Sequence, residues 1–332
     1  MKNNYSRWIL GTRGFYDNYS IKLKIPESNI SFSLNYSLMS PYDLYDPHIK
    51  IWIIIQYQDE PLKNIALKDM YPMKAGSFSS EMFFVKIGEN ILKSNKVKGE
   101  IKNDQNSISW NLDLNIEKES SLYPLKYLFD FKYLKNKVAT PGIISSFTGD
   151  IVIDDKTYKL DNTKGIETHF WGRKLPENWN WGQCIDFDNS DNTLFNAYLF
   201  KRNLPLNFST PDISMFHLFY KGKDYYFNTP LSMILTQNDY HIGYWKFKTE
   251  NTELKLIGAF EIEYKDFLAI KSSDVNHESL FSHATMFGKL VIDIYKKEGW
   301  VFRKIDTIST QKGAYIEFVH RYKDPHVELI ID

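Results

Sequence analysis

The residues best equipped for chemistry lie together near the middle of the chain, in the stretch 165–187, G-I-E-T-H-F-W-G-R-K-L-P-E-N-W-N-W-G-Q-C-I-D-F. It gathers three tryptophans (Trp171, Trp179, Trp181), one histidine (His169) and three carboxylates (Glu167, Glu177, Asp186). Flat aromatic walls beside a few titratable groups suit an enzyme that binds an apolar substrate and moves one proton. Aromatic faces also steady a developing cation through their negative quadrupole. Glu167, His169 and Asp186 are the candidate proton carriers. The same residues equally suit an aromatic plug buried between two halves of a β protein, with His169 hydrogen-bonded in a structural corner.

Trp181 and Gln183 share one strand face by the period-two rule, so a pocket lined by one should be lined by the other. Gln183 is then placed to orient a substrate oxygen, or it is a buried amide bonded to backbone. Trp171-Gly172 reads as a tight backbone turn with the indole filling the space beneath it. Outside this stretch, Tyr36, Trp52, Trp245 and His283 sit on predicted strands as candidate pocket-lining residues, with barrel core as the alternative. His217, His241, His277, His320 and His326 have no close ligand spacing to one another, so no zinc site is expected. Ser282-His283 has no marked acid partner or nucleophile elbow. Neither a phosphate-binding glycine loop nor a dinucleotide fingerprint is present, and no cofactor is expected.

The elements that must position these residues are strands. Ser31 to Leu38 alternates strictly, with Phe32, Leu34, Tyr36 and Leu38 on one face and Ser31, Ser33, Asn35 and Ser37 on the other, the mark of a half-buried strand. Lys50 to Tyr57, Met82 to Ile87, Lys96 to Ile101 and Ser107 to Ile116 follow, and Asp150 to Leu160 reads as a hairpin turning at Asp154-Asp155-Lys156. Residues 59–80, with Pro61, Pro72 and Gly76, read as a crossing loop. Leu122 to Val138 has an ambiguous helical look broken by Pro124. After the central stretch, strands are expected at 193–202, 213–220, 225–227, 243–249, 253–264, 288–295, 300–306 and 314–321. Short strands at this spacing argue for a sandwich or barrel.

A chain of 332 residues exceeds one typical core, so two domains are expected. Aromatic residues make up 16% of it, which favours pleated, half-buried surfaces. Lys plus Arg balance Asp plus Glu at 41 each, which leaves no basic footprint for nucleic acid. The single cysteine, Cys184, forbids an intrachain disulfide and suits a reducing, cytoplasmic setting. The opening residues carry no signal-peptide core, and the longest apolar run, Ile51 to Ile55, falls far short of a membrane span. A soluble protein without stable membrane insertion is expected.

The run H-F-W-G-R-K-L-P-E-N-W-N-W-G-Q resembles the central signature of the tocopherol cyclase and carotenoid hydratase superfamily, with His169, Trp171, Gly172, Pro176, Trp179, Trp181 and Gln183 on the pattern. G-F-Y-D-N-Y-S-I-K-L-K-I-P-E near the start is similar to that family's opening strands, and L-F-S-H-A-T-M-F-G-K-L-V-I-D-I-Y to its closing hairpin. One departure matters. The position three before the signature Trp is ordinarily an acid; here it is Thr168, with Glu167 one residue earlier, so Glu167 replaces that acid only through a local shift. The resemblance implies an all-β fold of two tandem lipocalin-like barrels, divided here as residues 1–164 and 165–332, with a pocket in or between them.

It also implies cofactor-free chemistry on a hydrophobic polyene, prenylated or polyketide-derived substrate. Cyclisation and hydration in this superfamily need a protonated acid in an apolar pocket, where burial keeps a carboxyl neutral. Decalin-forming relatives instead hold a reactive conformer while an acid polarises a carbonyl, and Thr168 favours that version. Three functions follow: a cyclase or isomerase, a hydratase, or a non-catalytic lipid carrier. The carrier predicts an aromatic pocket with no buried carboxyl or histidine facing the ligand.

Overall fold

A computed structural model describes residues 4–43, 45–123, 136–202 and 209–331. The described chain is almost entirely β and forms two large sheets. The first is built from β1 (Phe15–Ile25), β2 (Ile30–Ser40), β3 (His48–Tyr57), β4 (Ile65–Pro72), β5 (Gly76–Phe78), β6 (Phe84–Ile87), β7 (Asn90–Lys93), β8 (Lys96–Lys102), β9 (Ser107–Ser120), β10 (Asn136–Ile153) and β11 (Lys156–Gly172). Their order is β4-β3-β2-β1-β11-β10-β9-β8-β7-β6-β5, and the sheet curls until β4 meets β8, an almost closed barrel.

The second sheet, closer to a half-barrel, follows with β12 (Asn178–Cys184), β13 (Leu194–Lys201), β14 (Ile213–Tyr220), β15 (Lys223–Phe227), the short helix α1 (Pro230–Leu235), β16 (Gln237–His241), β17 (Tyr244–Glu250), β18 (Leu254–Glu261), β19 (Leu268–Ser273), β20 (Ser279–Glu298), β21 (Val301–His320) and β22 (Leu329–Ile331). The main path is β15-β14-β13-β12-β21-β20-β18-β17-β16, with β19 and β22 added beside β20. The expected division at 164/165 falls inside β11, which pairs with β1 in unbroken register from Gly165 to Gly172. The chain passes from one sheet to the other between Gly172 and Asn178.

The alternating patterns form strands because each has an apolar face to bury. On β2, Phe32, Leu34, Tyr36 and Leu38 are fully buried in the first barrel. Two expectations need correction. Residues 59–80 are not a crossing loop: β4 pairs with β3 from Ile65 to Pro72. As an edge strand it tolerates a terminal proline and exposes Lys68 and Met70, which dilutes the apolar alternation. The separate strands expected at 300–306 and 314–321 are one, β21, paired with an equally long β20 through register shifts around Gly288. Bulges bend a strand without ending it, so a break in the alternation here does not mark a loop. Gly313 marks a close approach, where a Cβ would stand 2.1 Å from the Asp186 carbonyl oxygen. Most of the ambiguous segment Leu122–Val138 lies outside the described residues.

One apolar core fills the first barrel and continues into Trp179, Trp181, Tyr198 and Val319 of the second sheet, while a separate core of Phe195, Phe216, Trp245, Phe247 and Phe260 fills the second. The two sheets therefore share a buried boundary. No helix among the described residues is long and apolar enough to cross a membrane.

Candidate functional site

A cavity of about 200 Å³ lies at that boundary. The first sheet lines it with the outward faces of β1, β2, β3 and β11, through Lys22, Asn35, Trp52, Thr168 and Phe170 among others. The second contributes Trp179 and Trp181 from β12, Ser282 from β20, and Tyr315 and Glu317 from β21. The polar face of β2, Ser33, Asn35 and Ser37, thus looks into the cavity, not into bulk solvent.

Strand parity divides the central signature. On β11, Thr168 and Phe170 face the cavity, whereas Glu167, His169 and Trp171 point through the sheet into the first barrel. His169 is fully buried, with Nε2 2.6 Å from Asp17 Oδ1 and its ring stacked on Tyr19 at 4.2 Å and Trp171 at 4.3 Å. Asp17 Oδ2 also accepts from the Ser6 hydroxyl at 2.7 Å. Glu167 Oε1 accepts from Asn4 Nδ2 at 2.6 Å, while Oε2 is buried without a partner among the described residues. Burial pushes its carboxyl up to about 7. This is the neutral acid that alkene protonation needs, but it faces away from the cavity. The position that carries an acid in the resembled signature does face the cavity, and it is Thr168; the unbroken pairing of β11 with β1 allows no shift to bring Glu167 round.

The other expected site residues divide as follows. Trp52, Trp179 and Trp181 line the cavity. Asp186 is exposed beyond the end of β12, away from the lining, because β12 stops at Cys184. Gln183 shares the Trp181 face but lies deeper, donating to Asn196 Oδ1 at 3.3 Å. Tyr36 is core of the first barrel, its hydroxyl donating to the Ile91 carbonyl at 3.2 Å. Trp245 is core of the second sheet, stacked on Phe260 at 5.5 Å. His283 is a structural tie: Nε2 accepts from the Asp324 backbone N–H at 3.0 Å, which leaves Nδ1 to donate to the Phe318 carbonyl at 3.4 Å.

The cavity's own chemistry rests on Lys22, Ser282, Tyr315 and Glu317. Lys22 is buried, with Nζ 4.0 Å from the Tyr315 ring centroid and 5.2 Å from that of Trp181. Burial lowers its ammonium to about 8, against the pull of Glu317. At neutral pH it is a charged donor caged by aromatic faces. Glu317 Oε1 accepts from the Ser282 hydroxyl at 2.5 Å, placing a half-buried carboxylate on the cavity wall. On sequence alone, Lys22 sits in an ordinary alternation, I-K-L-K, and Glu317 in A-Y-I-E-F; both read as solvent-facing. The available signal is the absence of any charge on the Ser31–Ser37 face, since a solvated strand face usually carries some.

A buried polar chain fixes the aromatic wall. Trp181 Nε1 donates to Asn196 Oδ1 at 3.3 Å, and Asn196 Nδ2 donates to Ser120 Oγ at 3.0 Å and Thr140 Oγ1 at 3.1 Å. Ser120 Oγ lies 2.8 Å from His217 Nδ1, and His217 Nε2 lies 2.8 Å from Asp224 Oδ1. A carboxylate only accepts, so Nε2 carries the proton and Nδ1 accepts from Ser120. Burial lowers the His217 pKa, which agrees with a neutral ring. The Ser-His-Asp order suggests a hydrolase only superficially: Ser120 is buried and its hydroxyl is already shared with Asn196. Among the described residues, no group of three His, Cys, Asp or Glu side chains is arranged to hold a metal ion.

Comparison with known proteins bears on both fold and site. The family model described as tocopherol cyclase-like matches residues 144–317, just over half of the chain. No curated protein sequence matches. Among solved structures, kievitone hydratase from Nectria haematococca is 12% identical with a TM-score of 0.54, over 92% of this chain and 88% of its own. CghA is 8% identical with a TM-score of 0.55, over 94% and 89%. An AttH-type protein from Nitrosomonas europaea is 10% identical with a TM-score of 0.51, over 93% and 92%. At these identities the structures share the fold, and chemistry has to be argued from the cavity.

Proposed function

The chain belongs to the tocopherol cyclase-like family, and from that premise we propose that it is an enzyme that cyclises a hydrophobic, polyene-bearing substrate in the cavity between its two sheets. The observation that carries this reading is Lys22: one buried ammonium in an aromatic cage, facing a cavity walled by Trp52, Phe170, Trp179 and Trp181. An acid with a pKa near 8 is far too weak to protonate an isolated alkene. It is well suited to donate to a carbonyl oxygen and draw electron density from a conjugated alkene. Removing one such donor to a developing oxyanion typically costs about 10²- to 10³-fold in rate. The aromatic walls would do the rest, holding the chain in the folded conformer from which the ring closes. In that scheme Trp181 acts as a wall kept upright by Asn196, and Glu167 and His169 are structural.

A second reading has its own support in the Ser282–Glu317 pair. A carboxylate on the cavity wall could orient a water toward an alkene conjugated to the same Lys22-bound carbonyl, which would make the reaction a hydration. A lipid carrier has no need of either polar group.

The test is incubation of the purified protein with lipid and polyketide extract of its own source, read by chromatography and mass spectrometry. A product of unchanged mass and new retention time supports cyclisation, and a gain of one water supports hydration. A lipid that co-purifies unchanged, and is retained equally by Lys22→Met, would replace the enzyme with a carrier.

A further inference from the structure

The reaction scheme uses one end of the cavity and leaves the other idle. On β1 the cavity-facing residues run from Lys22 back to Tyr16, six residues and about 20 Å along the strand. At the Tyr16 end three polar side chains from three strands gather. Tyr16 on β1 and Asn136 on β10 both stand opposite Gly172 of β11, on the face that also carries Phe170. Gly172 places no side chain between them. Tyr198 approaches from the second sheet, paired with Trp181 and on its face. All three are at most 1% exposed.

The Tyr16 phenol is raised first by burial and next by nearby Tyr198, and the Asn136 amide approaches the Tyr198 hydroxyl. Even so, four polar atoms here, both phenol oxygens and both ends of the Asn136 amide, have no hydrogen-bond partner among the described residues. Leaving a buried donor or acceptor unpaired is costly, and buried polar groups ordinarily find a partner. Asn196, at the same boundary, does: its amide serves Trp181, Gln183, Ser120 and Thr140. The unpaired atoms instead collect at Tyr16, which lines the cavity.

The chemistry of the three selects what would pair with them. Burial holds both phenols protonated against the opposing pull of Arg202, and a place that disfavours phenolate disfavours a carboxylate as well. The occupant is therefore uncharged. Asn136 Nδ2 only donates, Oδ1 only accepts, and a phenol does either. A hydroxyl group donates once and accepts twice, so it meets both ends of the amide, whereas an ether or ketone leaves Oδ1 bare.

Resting on the reading of this cavity as the substrate site, we propose that Tyr16, Asn136 and Tyr198 form a hydroxyl-binding subsite, and that the substrate is a polyene with an alcohol or phenol remote from the carbonyl held by Lys22. These three residues set specificity and take no part in bond-making. The substrate class narrows from hydrophobic polyenes in general to hydroxylated ones.

The probe pair is a conjugated octadecatetraen-1-ol and its methyl ether, with binding followed by energy transfer from the cavity tryptophans. The wild-type protein should bind the alcohol at least about tenfold more tightly, because the ether leaves a buried acceptor unpaired. Asn136→Leu, close in volume, should bind the two equally, and Tyr16→Phe/Tyr198→Phe should weaken the alcohol by about tenfold. Both variants remove unpaired buried atoms, so their melting temperatures should hold or rise. A lowered melting temperature means that these side chains already have structural partners and overturns the subsite. Equal wild-type affinity for alcohol and ether also overturns it, leaving a corner bridged by water in an intact cavity. Lys22→Met should keep the preference for the alcohol; its loss there places the hydroxyl at the Lys22 end and overturns the assignment. Failure of both probes to bind wild-type protein removes the cavity reading itself, and this proposal with it.

Discussion

Replacing Lys22 with methionine should make the protein more stable and less active at once. Burial lowers the Lys22 ammonium from 10.5 to about 8. A tenfold change in proton affinity corresponds to about 1.4 kcal/mol, so charging this group in the fold costs about 3 kcal/mol. The faces of Tyr315 and Trp181 return about 1–2 kcal/mol of that. Methionine fills a similar volume without a charge, so Lys22→Met should gain about 1–2 kcal/mol at pH 7, read by chemical denaturation. The sign of the pH dependence follows from proton counts. Between pH 8 and 10.5 the unfolded chain holds a proton on Lys22 that the folded chain has lost, so wild-type stability rises across that window. The advantage of the variant should therefore be full below pH 8 and vanish as pH approaches 10.5. If Lys22→Met is instead destabilised by more than 1 kcal/mol at pH 7 (roughly the value of one surface contact), Lys22 is a structural tie and not a group held ready for a ligand.

Other outcomes follow from the same geometry. Glu167→Gln should retain activity. The Glu167 carboxyl titrates near 7 in the fold, above its ordinary 4.5, so the folded state holds the extra proton between those values and the wild type loses stability as pH rises through them. The variant should lack that loss and be the more stable form at pH 8, by up to about 3 kcal/mol on the same conversion. His169→Ala should destabilise by about 3 kcal/mol or more, since it opens the stack with Tyr19 and Trp171 and strands buried Asp17. Asn196→Ala should cost about 2–4 kcal/mol in a melt by leaving the Trp181 N–H, the Gln183 amide and Ser120 short of a partner. It should also lower turnover more than binding, because Trp181 loses its fixed orientation. Glu317→Gln separates the two reaction readings: cyclisation should continue, and hydration should stop.

The fold was largely legible because its strands announce themselves. Ser31 to Leu38 alternates so regularly that β2 follows from pattern alone, and the 154–156 turn from its Asp-Asp-Lys. What failed was continuity. β4 is an edge with mixed burial, and β20 and β21 pass through bulges, so neither keeps a clean period. For the site, the central signature did locate one wall of the cavity through Trp179 and Trp181. The acid it points to, Glu167, lies on the opposite face from that wall for a geometric reason. Glu167, Thr168 and His169 are adjacent in sequence, yet a strand sends neighbours to opposite faces, and only the register with β1 says which face is which. Lys22 and Glu317 were hidden because a charged residue in an alternating strand looks the same facing water or facing a cavity roofed by a second sheet.

The most direct measurement sets Lys22→Met and Glu167→Gln side by side in the extract assay, each verified as folded, with conversion of substrate read by mass spectrometry. If the chemistry lies between the sheets, Glu167→Gln converts substrate at close to the wild-type rate and Lys22→Met falls by about 10²-fold or more. The reverse pattern, with Lys22→Met active and Glu167→Gln silent, would move the reaction into the first barrel and contradict the account.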